Sequence, residues 1–255
     1  MALPFLPPAS LDSSFAMSCP TEADIDTLAE VYYASFAEDP NNTWWWPRDR
    51  DAMFEWLHGR IRGKMADRNV RHFQVVDRRA GEVVAFARWD IPKGYEAMFG
   101  ALDDISPVVL DASQDHDTAE PAATIVPVEE EAEAVKAIAT PRGADPELCL
   151  FFFNKLAGLS KKWNADQMLG LSLLCTSPKY YRRGAAKALL VPMLAIADAA
   201  GLRSYLEATP AGRPVYEKLG FRVVEVQRFD PDAFTGGRVK GLTTLSIMIR
   251  EPQPS

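Results

Sequence analysis

From Leu169 to Leu190 the chain runs through an apolar stretch, Leu169-Gly170-Leu171-Ser172-Leu173-Leu174-Cys175-Thr176, and a basic turn, Lys179-Tyr180-Tyr181-Arg182-Arg183-Gly184. It then enters the apolar segment Ala185-Ala186-Lys187-Ala188-Leu189-Leu190. That order predicts a buried strand feeding a helix through a tight turn. The first turn of a helix has N–H groups without intrahelical partners, and the helix dipole favours an anion there. We read the turn as a phosphate cradle. Gly184, Ala185 and Ala186 have little or no side chain, so a ligand can approach the backbone closely. Arg182, Arg183 and Lys187 add charge and several donors. A solvated basic turn has the same local signature, so the rest of the chain must discriminate.

A chain of 255 residues with 47% hydrophobic and 25% charged residues is an ordinary globular sequence. It can bury a large core without metals or disulfides. The net charge of −7 opposes a general nucleic-acid binder, which needs a basic face. Cys19, Cys149 and Cys175 fit neither a disulfide framework nor a zinc site. Reduced thiols in a cytoplasmic protein are the simpler expectation. No apolar run is long enough to cross a bilayer, and the N-terminus lacks the basic region of a signal peptide.

Residues 1–14, rich in proline and serine, read as a flexible lead-in to a single domain over 15–255. A short strand is expected at Phe15–Ser18. A helix follows Thr21, with Ile25, Leu28, Ala29, Tyr32 and Phe36 at helical spacing. A second helix runs from about Asp49 to Ala66, and His72–Ile91 reads as a hairpin. Trp44, Trp45 and Trp46 cannot all face one core. They either plug a loop or contact a substrate. Residues 93–145 are rich in acid, alanine and proline and read as a partly disordered insertion, with a short helix near Val128–Ala139. Its Asp115-His116-Asp117 run lacks distant ligand partners, so no metal is expected. Pro146 opens another apolar helix.

Thr176 to Ala186 resembles the acyl-CoA-binding motif of the GCN5-related N-acetyltransferases, which has the form Gln/Arg-x-x-Gly-x-Gly/Ala. Val215-Tyr216-Glu217-Lys218-Leu219-Gly220-Phe221 resembles that family's closing motif. The insertion and the phrase Leu206–Gly212 resemble fungal members. Tyr181 departs from the pattern, standing where glutamine or arginine is usual.

The resemblance implies an α/β (α+β) fold, with a mixed, mostly antiparallel sheet flanked by helices. It implies acetyl-CoA as cosubstrate and direct attack by an amine in a ternary complex. The pantetheine arm would run along the backbone of Leu173, Leu174, Cys175 and Thr176, with a backbone N–H polarising the thioester carbonyl. The family's tyrosine that protonates the leaving thiolate maps onto Tyr216, and an asparagine that contacts the cofactor maps onto Thr209. Gly184, Ala185, Ala186, Arg182, Arg183 and Lys187 would hold the phosphates. No general base stands on the motif strand. Glu207 is the nearest carboxylate, either as base or as a structural group. The expected acceptor is a small-molecule amine walled by Trp44–Trp46. A non-catalytic acyl-CoA-binding regulator and a protein acetyltransferase are the rivals. The oligomeric state is not read from the sequence.

Overall fold

The computed structural model describes residues 3–100 and 140–254. Seven strands form one sheet in the order β1-β2-β3-β4-β5-β7-β6. They are β1 (Phe15–Ser18), β2 (Val70–Asp77), β3 (Val83–Asp90), β4 (Leu169–Thr176), β5 (Ser204–Ala208), β6 (Arg222–Phe229) and β7 (Thr243–Arg250). Every pairing is antiparallel except β4 with β5. Among the described residues six α-helices join them: α1 (Ile25–Phe36), α2 (Arg50–Met65), α3 (Pro146–Lys162), α4 (Ala185–Ala199), α5 (Arg213–Glu217) and α6 (Pro231–Phe234).

Local chemistry accounts for most of these boundaries. Thr21 and Asp24 form a reciprocal capping box ahead of α1. The Asp49 carboxylate accepts from the N–H groups of Asp51 and Ala52, and Met53, Leu57 and Ile61 then recur at helical spacing on the buried face of α2. The Asp145 carboxylate caps α3 in the same way, with Pro146 at the first helical position. Between β2 and β3, Asp77 accepts from the N–H groups of Arg79 and Ala80. Pro192 lies inside α4 and is buried, yet the helix continues to Ala199.

Helices cover both faces of the sheet. On one face α4 packs Leu189, Leu190 and Met193 against Phe73, Trp89, Leu171, Leu206 and Met248. On the other, α1 and α2 enclose Phe86 and Cys175. Beside them α3 covers Phe229 and Leu245. These clusters supply the hydrophobic drive for the assembly.

Parts of the two stretches that read as loose from the sequence make packing contacts. The 1–14 stretch is docked for part of its length: Phe5 packs edge-on against Phe73 at 5.0 Å, and Leu3 and Leu11 join the same cluster. The start of the 93–145 stretch is also ordered. Phe99 is fully buried, and the buried Arg71 guanidinium donates to the carbonyls of Phe99 and Gly100. Proline and acidic content marked these stretches as loose, but a few large apolar side chains suffice to anchor them. The Val128–Ala139 helix and the Asp115-His116-Asp117 run lie outside the described residues.

One buried ion pair ties the C-terminal half together. Arg250 of β7 donates two hydrogen bonds to the Asp198 carboxylate of α4 and a third, at 2.8 Å, to the carbonyl of Leu219. Burial pushes Asp198 up, but the Arg250 bonds, the Gln253 N–H and the Arg250 charge outweigh it, and the group stays below its ordinary value. The stability it contributes is therefore present above the usual carboxylate range and lost as pH falls through it. Asp198→Asn leaves the buried guanidinium short of a counter-charge. We expect a loss of about 3 kcal/mol at pH 7, read as a lower urea midpoint. An unchanged midpoint would show that the pair is not a structural tie.

Candidate active site

The site begins where β4 and β5 stop pairing. Their parallel ladder covers only Leu169–Leu171 against Ser204–Leu206. β3 follows β4 on to Thr176, with a register irregularity between Arg88 and Trp89 opposite Ser172. Arg88 is buried there and donates to the Ser172 hydroxyl at 2.9 Å. β5 meanwhile stays with β7 through Ala208. The two strands therefore part, and a cavity of about 670 Å³ opens between them. That size suits a small-molecule ligand. The edge of β4 that faces the gap is where an extended ligand arm can add like a strand.

α4 points its start into this cavity. Gly184 precedes the helix with φ of 84°, and no side chain caps it. The first bond of the helix backbone runs from the Ala188 N–H to the Gly184 carbonyl. The N–H groups of Ala185, Ala186 and Lys187 are thus left without intrahelical partners, and all three residues line the cavity. A Cβ built on Gly184 meets nothing within 4 Å, so the cradle is open where a phosphate would approach. Arg182 holds φ of 61°, which costs a non-glycine residue about 1–2 kcal/mol. Arg182 and Lys187 have no hydrogen-bond or ion-pair partner among the described residues. The cradle thus fits a diphosphate on its own chemistry.

Arg183 differs from its neighbours. It donates to the Ser14 hydroxyl at 3.2 Å, and its guanidinium lies over Phe15 at 4.5 Å and Tyr180 at 5.3 Å. It lines the cavity from a position already engaged with the N-terminal segment. The exposed ring of Tyr181 also borders the cavity.

The opposite wall carries the titratable groups. Tyr216 of α5 is buried, packs edge-on to Phe221 and lines the cavity. Burial, then the neighbouring Cys175, pushes its phenol up, so it is protonated and available as a donor. Gly212 lets this ring come close: a Cβ there would lie 3.2 Å from Tyr216 Cε2. The Thr209 hydroxyl accepts from the Gly212 N–H at 3.2 Å and so shapes the turn into α5 while bordering the cavity. Glu207 of β5 lines the cavity and accepts a 2.8 Å hydrogen bond from the Tyr205 hydroxyl. Burial pushes the Glu207 carboxyl up to about 7. The Tyr205 bond lowers it and the Asp90 charge raises it.

The remaining expected residues divide between the cavity and the core. Leu174 and Thr176 border the cavity, but the Cys175 side chain does not. It is fully buried in the core under α1, and burial pushes its thiol well up, which leaves it inert as a nucleophile. The Thr176 carbonyl is already held by the Ser35 hydroxyl at 3.1 Å. The three tryptophans do not line the cavity. Trp44 and Trp45 pack with Phe152 and Phe229 under α3, and Trp46 packs on Tyr32 and Tyr33. They form a plug between loop and helix, not an acceptor wall. The end of α1 borders the cavity instead, with Ser35, Phe36 and the following Asp39. Helical periodicity marked Phe36 only as a core residue, and no local signal distinguishes a core edge from a cavity edge.

Residues 148–232 match a family model described as an acetyltransferase (GNAT) domain. A Corynebacterium glutamicum structure described as histone acetyltransferase HPA2 and related acetyltransferase superposes with a TM-score of 0.53 at 20% identity, over 95% of this chain and 98% of that one. A mosquito protein described as arylalkylamine N-acetyltransferase like 5b gives 0.55 at 10% identity, over 93% and 100%. Both likenesses concern the fold. A search of curated protein sequences returned no match.

The cradle has a direct test. Gly184→Val forces a branched side chain into a left-handed position and into the anion's approach. We expect the Kd for coenzyme A, measured by calorimetry, to rise at least about tenfold. Unaltered affinity would move the phosphate site away from α4.

Proposed function

Because the chain carries a GNAT acetyltransferase domain, we propose that it is an N-acyltransferase that moves an acetyl group from acetyl-CoA to a small-molecule amine within a ternary complex. The observation that carries this reading is one cavity shared by the uncapped start of α4, the parted edge of β4, Tyr216 and Glu207. Acetyl-CoA supplies an activated thioester. Ala185, Ala186 and Lys187 hold its diphosphate by backbone N–H groups, with Arg182 and the Lys187 ammonium adding charge. The edge of β4 orders the pantetheine arm.

Proton traffic falls to the two side chains across the gap. As the nitrogen–carbon bond forms, Glu207 takes the amine proton. As the carbon–sulfur bond breaks, Tyr216 gives its proton to the sulfur, and both groups reset through solvent. A carboxyl with pKa near 7 is a suitable base at neutral pH, and burial keeps the Tyr216 phenol in the protonated form that a donor needs. An apolar body on the acceptor is supported by Phe36, Leu173 and Val215 at the cavity wall. Among the described residues no helix is long and apolar enough to cross a membrane. Buried thiols at Cys149 and Cys175 support our placement of the protein in the cytoplasm.

Thiol release from acetyl-CoA across a panel of primary amines tests the reading. Tyr216→Phe should lower kcat by about 10²-fold while coenzyme A still binds. If coenzyme A binds but no amine releases thiol, the protein is an acyl-CoA-binding regulator and the enzyme reading is lost. A second outcome concerns pH. The Glu207 carboxylate accepts a proton only above its raised pKa, so kcat/KM should show an inflection near pH 7 on its rising side. Glu207→Gln should abolish that inflection and lower kcat. An inflection that survives the substitution belongs to another group.

A further inference from the structure

Glu207 is one of three linked side chains. Tyr205 and Glu207 are two residues apart on β5 and so share a face of the sheet. The buried Tyr205 hydroxyl donates to Glu207 Oε1 at 2.8 Å. Burial, then the Glu207 charge, pushes the Tyr205 phenol up and keeps it a donor. The register aligns Asp90 of β3 with Gly170 of β4, and Gly170 with Tyr205. Gly170 has no side chain to separate the other two. A Cβ built on it would lie 3.5 Å from Asp90 Cβ and 3.9 Å from Asp90 Oδ2, so the Asp90 side chain leans over the glycine. Asp90 Oδ1 is buried there without a hydrogen-bond partner among the described residues. Buried polar atoms are rarely left this way, and such an exception asks for a reason.

We propose that Tyr205 and Asp90 are positioning residues for the base: Tyr205 fixes one oxygen of the Glu207 carboxyl, leaving the other for the acceptor's proton, and Asp90 sets a second negative charge beside it. The base role rests on the acyltransferase reading; the coupling of the three side chains does not. The two neighbours act in opposite senses. A donor to the carboxylate favours its charged form, whereas a nearby carboxylate disfavours it. Burial raises the Glu207 carboxyl most, and the two neighbours adjust it in opposite directions.

The surroundings leave these two as the tuning groups. Ser172 of β4 borders the same cavity and is neutral, and Ile247, opposite Glu207 on β7, is apolar. Arg88 of β3 is tied to Ser172, and Arg60, Tyr32, Cys175 and Asp90 itself act on Arg88. Glu225 of β6 acts on Tyr205 and is itself held by Lys162 and Trp163 of α3.

The test titrates Glu207 directly, independent of turnover. In protein labelled with carboxyl-¹³C glutamate, the Glu207 resonance is the one missing from Glu207→Gln. Its midpoint in the unsubstituted protein should lie at about 7. Asp90→Asn should move it down and Tyr205→Phe should move it up, each by about half a unit or more. The inflection in kcat/KM should follow in the same directions. Midpoints that stay in place, or that move the same way in both variants, overturn the proposal. Coenzyme A binding, which engages the far end of the cavity, certifies that each variant is folded. Asp90→Ser or Tyr205→Leu replaces any variant that fails this check and must shift the midpoint in the same sense. Opposite shifts without thiol release from any amine would keep the three-residue coupling and reject the acyltransferase.

Discussion

The parting of β4 from β5 is the constraint on which the site depends. A parallel pair is normally sustained by evenly spaced, slanted hydrogen bonds. Here it ends after Leu171 and Leu206, while each strand stays paired along its other edge. β3 keeps β4 to Thr176, and β7 keeps β5 to Ala208. The irregularity opposite Ser172 increases the local bend, as an extra residue in one strand does. The gap is therefore a product of the sheet and not of a loop. Both of its walls are rigid, which suits a site that must hold a ligand arm against reacting groups.

Each wall then carries a short connection with a defined end. β4 leads through the turn at Arg182–Gly184 into α4, so unpaired N–H groups stand at a fixed distance along the strand. β5 leads through Thr209 and Gly212 into α5, so Tyr216 returns over the same gap. Arg250 bonds both Asp198 at the end of α4 and the Leu219 carbonyl just past α5. The two walls are thus braced from behind by one buried cation. Charge is divided along the cavity, with Arg182 and Lys187 at the cradle and Glu207, backed by Asp90, where β4 and β5 diverge. An anionic ligand and a basic amine would each meet the sign that suits it.

Much of this was legible in the chain. The capping residues Thr21, Asp49 and Asp145, the periodicity of α1 and α2, and the β2–β3 turn all depend on neighbours within a few residues. The cradle at Gly184 is local in the same sense, since a helix start and a small residue are enough to create it. The tryptophans were ambiguous for a related reason. Three adjacent rings say that a loop is anchored but not against what, and the anchor proved to be Phe152 and Phe229, far away in the chain. Arg183 likewise carried the right charge, yet its stacking on Phe15 depends on a segment that precedes it by more than half the chain.

The sequence by itself determined where helices and strands begin, which faces are apolar, and that an anion-binding helix start follows a buried strand. Those properties come from residue spacing and backbone chemistry, which act over a few positions. Only the tertiary structure decided that Glu207 and Tyr216 share a cavity with that helix start, and that Asp90 leans over Gly170, the register partner of Tyr205. Strand order and register set those neighbours, and register is fixed by the packing of whole faces rather than by any one segment.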